Sequence, residues 1–304
     1  MNEYLFARLR SLIESYGIDD PHSIKCLEKA SRNLEDIPLY ERHFEKLLLK
    51  NGVPPNDPPP FPRLSEADKG AKGIPFGRMG WGKIRELFTL PFAAFDERHV
   101  LVTGATGTGK TRSVMIALKR LIETGIRVLI FDAASEYVHL CQFFSPEVFL
   151  VVDPRTLKIN FILPPPNVDP KVWRGVLIGI FRETMFLRDG ACNELNSILA
   201  SLQRTRLCPS FADLFGAIQK KAYRPNSRRA GYIESLQNRA ELLMNSYISD
   251  ALMCCEGHPL EKVLIDRSAC IRVGLVSNDL VRNFYVIYVL RWVETYLTFN
   301  PEKR

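Results

Sequence analysis

The residues whose types and spacing speak most directly of chemistry are Gly104-Ala-Thr-Gly-Thr-Gly-Lys-Thr111. They satisfy G-x-x-x-x-G-K-[ST], the pattern of a loop that wraps a phosphate. Each type has a mechanical duty. Gly104, Gly107 and Gly109 allow the positive φ angles and close backbone approach that such a loop needs. Lys110 supplies a point charge toward β- and γ-phosphates, and the Thr111 hydroxyl is suited to bind Mg²⁺. Ala105, Thr106, Thr108 and Arg112 complete the candidate nucleotide-binding set. The expected ligands are a nucleoside triphosphate, ATP or GTP, and Mg²⁺.

Such a loop works only between a strand and a helix. His99-Val-Leu-Val-Thr103 is a short apolar run rich in β-branched residues and predicts a buried parallel strand. Downstream, Val114, Leu118 and Leu121 or Ile122 recur at helical spacing until Gly125, and Val128-Leu-Ile-Phe131 predicts a second strand. In that order of elements the loop amides and the helix N-terminus point at an anion.

Asp132 ends the second strand and is followed by Glu136 and Tyr137. Two readings of this segment stand level. Asp132 at a strand tip could enter the Mg²⁺ shell with Glu136 polarising water, which would make Lys110, Asp132 and Glu136 the catalytic set. Alternatively, Asp132 or Ser135 caps a helix and Glu136 sits in its first turn.

The remaining chain supplies scaffold. Val148–Val152 and Ala269–Val276 predict further strands, and Ile159-Asn-Phe-Ile162 leads out of the sheet. From Asp169 onward four helical patterns follow, the third capped by Ser210 and the fourth spanning about 231–249, and Ser277-Asn-Asp279 precedes a long final helix. Residues 1–52 read as a small all-α unit and 53–72 as a Pro/Gly-rich linker, with an SH3-type ligand as the lesser alternative. The glycine-rich stretch 70–82 reads as irregular, and Ile84–Leu90 as a strand or short helix. The expected fold is α/β: a RecA-like core with a mainly parallel sheet over 73–304, interrupted by a helical insertion at about 169–265.

The 304 residues carry a net charge of +7, with 46% hydrophobic and 25% charged residues. That excess is compatible with nucleic acid without requiring it. Lys220, Lys221, Arg224, Arg228 and Arg229 form the densest basic patch, interleaved with Tyr223 and Tyr232. They read either as a solvated loop or as a DNA-backbone contact. Seven cysteines include no C-x-x-C pair, and they read as free thiols, with Cys254 and Cys255 on a helix. The sequence lacks an apolar run near the roughly 18 residues of a membrane span, so a cytoplasmic, membrane-free protein is expected.

The segments His99–Thr111 and Leu129–Tyr137, with Ile159-Asn-Phe161 and Ser235-Leu-Gln-Asn-Arg239, resemble the HerA/FtsK superfamily of P-loop motors, and within it the HerA-like ATPases with a DUF87-type domain. The resemblance covers roughly residues 73–297. It implies an ATP-driven translocase or helicase acting on double-stranded DNA as a hexameric ring, with a nuclease as a further expected partner. It also implies that Lys110 and Thr111 bind phosphate and metal, while Asp132 and Glu136 lie near the nucleotide. The family's Walker B strand, sensor and arginine finger usually lie further along than residue 304. The chain is therefore expected to be a fragment that binds nucleotide and hydrolyses it weakly. The competing reading is an ATP-dependent assembly switch without translocation. A small-molecule kinase is disfavoured, because the helical segment offers no substrate-binding arginine motif.

Overall fold

The computed structural model describes residues 73–81, 84–91, 101–221 and 223–303, with Lys25, Lys29 and Lys46 as isolated helical positions. The expected N-terminal helices and linker otherwise lie outside the described residues. The chain divides into two compact units, residues 1–120 and 121–304.

In the first unit, β1 (Gly73–Trp81) and β2 (Ile84–Pro91) form an antiparallel hairpin. The glycine-rich stretch is thus a strand, contrary to expectation. Trp81 pairs with Ile84, so only two residues connect the strands, and the register slips between Pro75 and Gly77. Such a bulge accommodates a proline that cannot donate to the ladder. The strand expected before the phosphate loop is absent at Leu101–Thr103, which are irregular, with Leu101 86% exposed. An apolar β-branched run forms a strand only where a neighbour accepts its ladder, and the described part of this run has none. Helix α1 then spans Lys110–Glu123.

The second unit holds a parallel three-stranded sheet: β3 (Leu129–Phe131), β4 (Phe149–Val152) and β5 (Ser268–Ile271), in the order β3-β5-β4. Gly125, at φ 87°, ends α1 in a left-handed turn, where its N–H donates to the Ile122 carbonyl and that of Ile126 to Leu121. The last strand is shorter than expected. Ala269–Val276 reads as one apolar run, but after Ile271 the chain folds into a 3-10 turn, Val273–Leu275. Val273 and Val276 are buried from that turn rather than from a strand.

Between the neighbouring strands β4 and β5 lie α2 (Pro170–Met185), α3 (Asp189–Thr205), α4 (Phe211–Gln219), α5 (Arg228–Met244) and the short α6 (Ser249–Leu252) and α7 (Leu260–Leu264). Helix α8 (Asp279–Phe299) follows the sheet. Their starts follow local chemistry. Asp169 accepts from Lys171 N–H ahead of Pro170, Ser210 and Asp213 form a reciprocal capping box, and Asn278 accepts from Leu280 and Val281 N–H.

The core centres on Phe161, whose ring meets Phe211 at 5.2 Å, Phe284 at 5.7 Å and Phe181 at 6.2 Å. The Trp173 indole donates to the Phe161 carbonyl at 3.0 Å. Beside it, buried Asn160 donates to the carbonyls of Pro209 and Cys255 and accepts from Ile162 N–H. Two adjacent residues therefore tie the segment after β4 to the helical block, one by ring packing and one by hydrogen bonds. Cys254 and Cys255 sit in the loop after α6 rather than on a helix. Hydrogen bonds with residues 158–160 hold that loop in a non-helical course: Ile159 N–H donates to Ala251 and His258 N–H to Lys158.

Candidate nucleotide site

The loop from Gly104 to Lys110 folds around its own lysine. Lys110 Nζ donates to the carbonyls of Gly104, at 2.6 Å, and Ala105, at 2.7 Å. Thr108 closes the turn, its hydroxyl donating to Ala105 O at 2.8 Å. Gly107 and Gly109 adopt φ of 83° and 86°, the left-handed region where a side chain is strained. At Gly104 a Cβ would lie 2.9 Å from Thr108 Oγ1, so the loop closes only over a hydrogen. Helix α1 begins at Lys110, and the first turn of a helix leaves N–H groups without intrahelical acceptors. Ser113 N–H has already found the Gly109 carbonyl. The result is an ammonium and a helix start gathered on one exposed loop, with Thr111 half-buried and Arg112 exposed. The glycine torsions, the Lys110 ammonium and the helix start are of the kinds that a phosphate group calls for, and Thr111 follows them with a hydroxyl suited to its Mg²⁺.

The acidic segment is built the other way round. Asp132 is 1% exposed, and its carboxylate accepts from Ala134 N–H at 3.2 Å, Glu136 N–H at 3.2 Å and Tyr137 N–H at 2.9 Å. Ser135 sits at φ 58°, which lets the chain wrap back over the carboxylate. Asp132 thus caps the turn leading into the 3-10 helix Tyr137–Gln142, and Glu136 is exposed at its start. The Cys270 thiol on β5 points at Asp132 Oδ2, 3.8 Å away. Burial, and then the neighbouring Asp132 charge, push that thiol up to about 12. Tyr137 is raised as well, by burial first and then by Glu136 and Asp132.

One residue at the strand tips escaped the sequence reading. Asp132 follows β3, Asp153 follows β4 and Arg272 follows β5, and the registers Phe131↔Ile271 and Val152↔Ile271 set all three at one level. Arg272 was hidden because its strand was read through to Val276. Asp153 accepts from Tyr247 OH at 3.0 Å and from its own turn at Arg155 N–H. Charged residues at the C-terminal ends of a parallel sheet stand on its ligand side.

The expected DNA contacts divide. Glu194 of α3, largely buried, accepts from Tyr223 OH at 2.7 Å and pairs with Arg229 at 3.5 Å and Lys221 at 3.8 Å. The Tyr223 ring lies beneath both cations. Lys220, Arg224 and Arg228 are exposed. The structure therefore brings Lys221, Tyr223 and Arg229 together around a carboxylate and leaves the other three apart from it.

Parts of this chain are similar to known proteins. The family described as helicase HerA, central domain, matches residues 90–167, a span that contains the phosphate loop and the Asp132 turn. The DNA double-strand break repair helicase HerA of Saccharolobus solfataricus is 30% identical over 130 residues, 39% of this chain and 26% of that protein. The chain thus spans about a quarter of that relative. The solved structure of VirB4 from Thermoanaerobacter pseudethanolicus superposes with a TM-score of 0.50 at 18% identity, covering 77% of this chain and 66% of its own. Among the described residues no helix is long and apolar enough to cross a membrane. The chain thus shares the fold of a P-loop ATPase, and its residues 90–167, which hold the phosphate loop, are similar to the central domain of helicase HerA.

Proposed function

We propose that the chain is the nucleotide-binding part of an ATP-driven motor that translocates along or unwinds double-stranded DNA as a hexameric ring. A nuclease is its expected partner and the cytoplasm its compartment. The phosphate loop carries this reading: glycines with left-handed torsions, an ammonium folded over them and a helix start beside it. Lys110 would exchange its two carbonyl partners for phosphate oxygens, Thr111 would hold Mg²⁺, and the N–H groups of the loop residues and Arg112 would line the phosphates. Bound Mg²⁺ supplies neutralisation of the charge that gathers on the transferring phosphoryl group. The relative described as a repair helicase supports DNA as the track. The test is ATP hydrolysis with and without duplex DNA. Stimulation by DNA that disappears in Lys110→Ala is expected, and a rate indifferent to DNA would sink the motor reading.

A second reading, an assembly switch that binds ATP without translocating, draws on the strand tips. Asp132 and Asp153 both spend their carboxylates on nearby hydrogen bonds, leaving Glu136 as the exposed acid of that turn. It expects tight Mg-ATP binding by this chain with turnover far below the roughly 1–10³ s⁻¹ usual for enzymes. Turnover within that range on DNA would remove it.

A further inference from the structure

The first turns of α3 and α5 cross where Gly190 meets Tyr232. A Cβ at Gly190 would lie 2.1 Å from the tyrosine ring, so the crossing is that tight only because position 190 is glycine. Beside the crossing a groove of about 520 Å³ opens, lined by Arg188, Ala191, Arg228, Tyr232 and Arg239, with Phe186 at its edge. That volume falls within the roughly 300–1,000 Å³ of pockets that take small ligands.

Three observations converge on an anionic occupant. Among the described residues no carboxylate lines the groove and its three arginines make no ion pair, whereas neighbouring Lys221 and Arg229 are spent on Glu194 and Arg182 on Asp189. Two helix N-termini border it, α3 through Arg188 and Ala191 and α5 through Arg228 and Gly231, so backbone dipoles add to the side-chain charge. Phe186 is 71% exposed and held at φ 54°, a conformation that costs a non-glycine residue free energy and that turns its ring outward while Met185 and Leu187 are buried. An exposed aromatic beside several unpaired guanidiniums is the arrangement that stacks a base while its phosphates are held. A duplex keeps its base faces stacked inside and offers none to such a ring.

We propose that this groove binds single-stranded nucleic acid, with Arg188, Arg228 and Arg239 on successive phosphates and Phe186 stacked on an unpaired base. The site lies outside the phosphate loop, and its occupancy is read without nucleotide, so it stands or falls independently of the motor reading.

Fluorescence anisotropy of the full chain with a labelled oligothymidylate, a duplex of equal length and a polyglutamate peptide is the test. The single strand is expected to bind most tightly. Arg188→Ala/Arg228→Ala/Arg239→Ala should weaken it at least tenfold and flatten the slope of log affinity against log salt by about 2, three phosphates at about 0.7 each. Phe186→Ala should weaken it severalfold and Phe186→Trp restore it, while Lys171→Ala and Lys262→Ala, exposed positions outside the groove, change little. Circular dichroism melts confirm that each variant folds, and Arg→Lys replacements serve if the triple variant does not. Equal affinity for duplex and single strand with no response at Phe186, or equal binding of polyglutamate, would overturn the proposal.

Discussion

Lys110 and Asp132 solve the same local problem with opposite signs. The lysine satisfies two carbonyls of its own loop, and the aspartate satisfies three N–H groups of its own turn. The difference is water. On the exposed loop, solvent can replace an ammonium that swings away, so Lys110 can exchange its partners for phosphate at little cost. At 1% exposure the Asp132 carboxylate has no such substitute, and moving it would break three bonds at once and leave its charge without partners. The same inventory of hydrogen bonds yields a mobile ligand group in one place and a fixed strut in the other.

Asp132→Ala strips the turn of its acceptor and should cost about 2–3 kcal/mol in urea unfolding, because three charge-assisted bonds that close the turn are lost together. Asp132→Asn sharpens the comparison: a metal role would appear as weaker Mg²⁺-dependent nucleotide affinity at nearly unchanged stability, and a purely structural role as the reverse. Lys110→Ala should lower nucleotide affinity on the order of 100-fold while leaving the midpoint of unfolding within about 0.5 kcal/mol. A large loss of stability there would break the contrast. Gly274→Ala places a Cβ 2.1 Å from the Ala133 carbonyl oxygen, on the outer side of the Asp132 turn. It should destabilise by about 1–3 kcal/mol, since one backbone segment must move off the other.

The smallest effect is alkaline. Burial first, and then the Asp132 charge, raise the Cys270 thiol from 9.0 to about 12 in the fold. The unfolded chain therefore releases this proton first, and the contribution to stability is full below pH 9 and lost as pH rises from 9 toward 12. The loss approaches about 1.4 kcal/mol per pH unit where only the unfolded thiol is ionised. Cys270→Ala should remove that slope between pH 9 and 10.5, and an identical slope in both proteins would show that the fold does not raise this thiol.

The phosphate loop was legible because its torsions demand glycine at fixed positions, and those demands are written one residue at a time. The cap at Ser210 and the helix starts at Asp169 and Ser277–Asp279 were legible for the same reason, since each is settled within three or four residues. What the sequence obscured depends on distant partners. Gly73–Trp81 becomes a strand because Ile84–Pro91 lies opposite, not because glycine favours one. Leu101–Thr103 has β-type residues and no ladder. Val273 and Val276 extended β5 on paper, because burial from a 3-10 turn and burial from a strand leave the same apolar mark, and that concealed Arg272 at the true tip. The two readings of Asp132 stood level for a related reason: spacing shows which residue ends a strand, but not whether its carboxylate faces outward or turns back.

The sheet also orders events in time. Its central strand, β5, is the last of the three to be made, and among the described residues β3 and β4 each pair only with it. All of residues 153–267 must leave the ribosome between β4 and its partner, on the order of ten seconds at about 5–20 residues per second. Through that interval two strands wait with open edges while α2 to α7 can already close around Phe161. The helical block is then the scaffold on which the sheet is finished. Synthesis slowed just before Ser268 would lengthen the period in which this chain is open to aggregation.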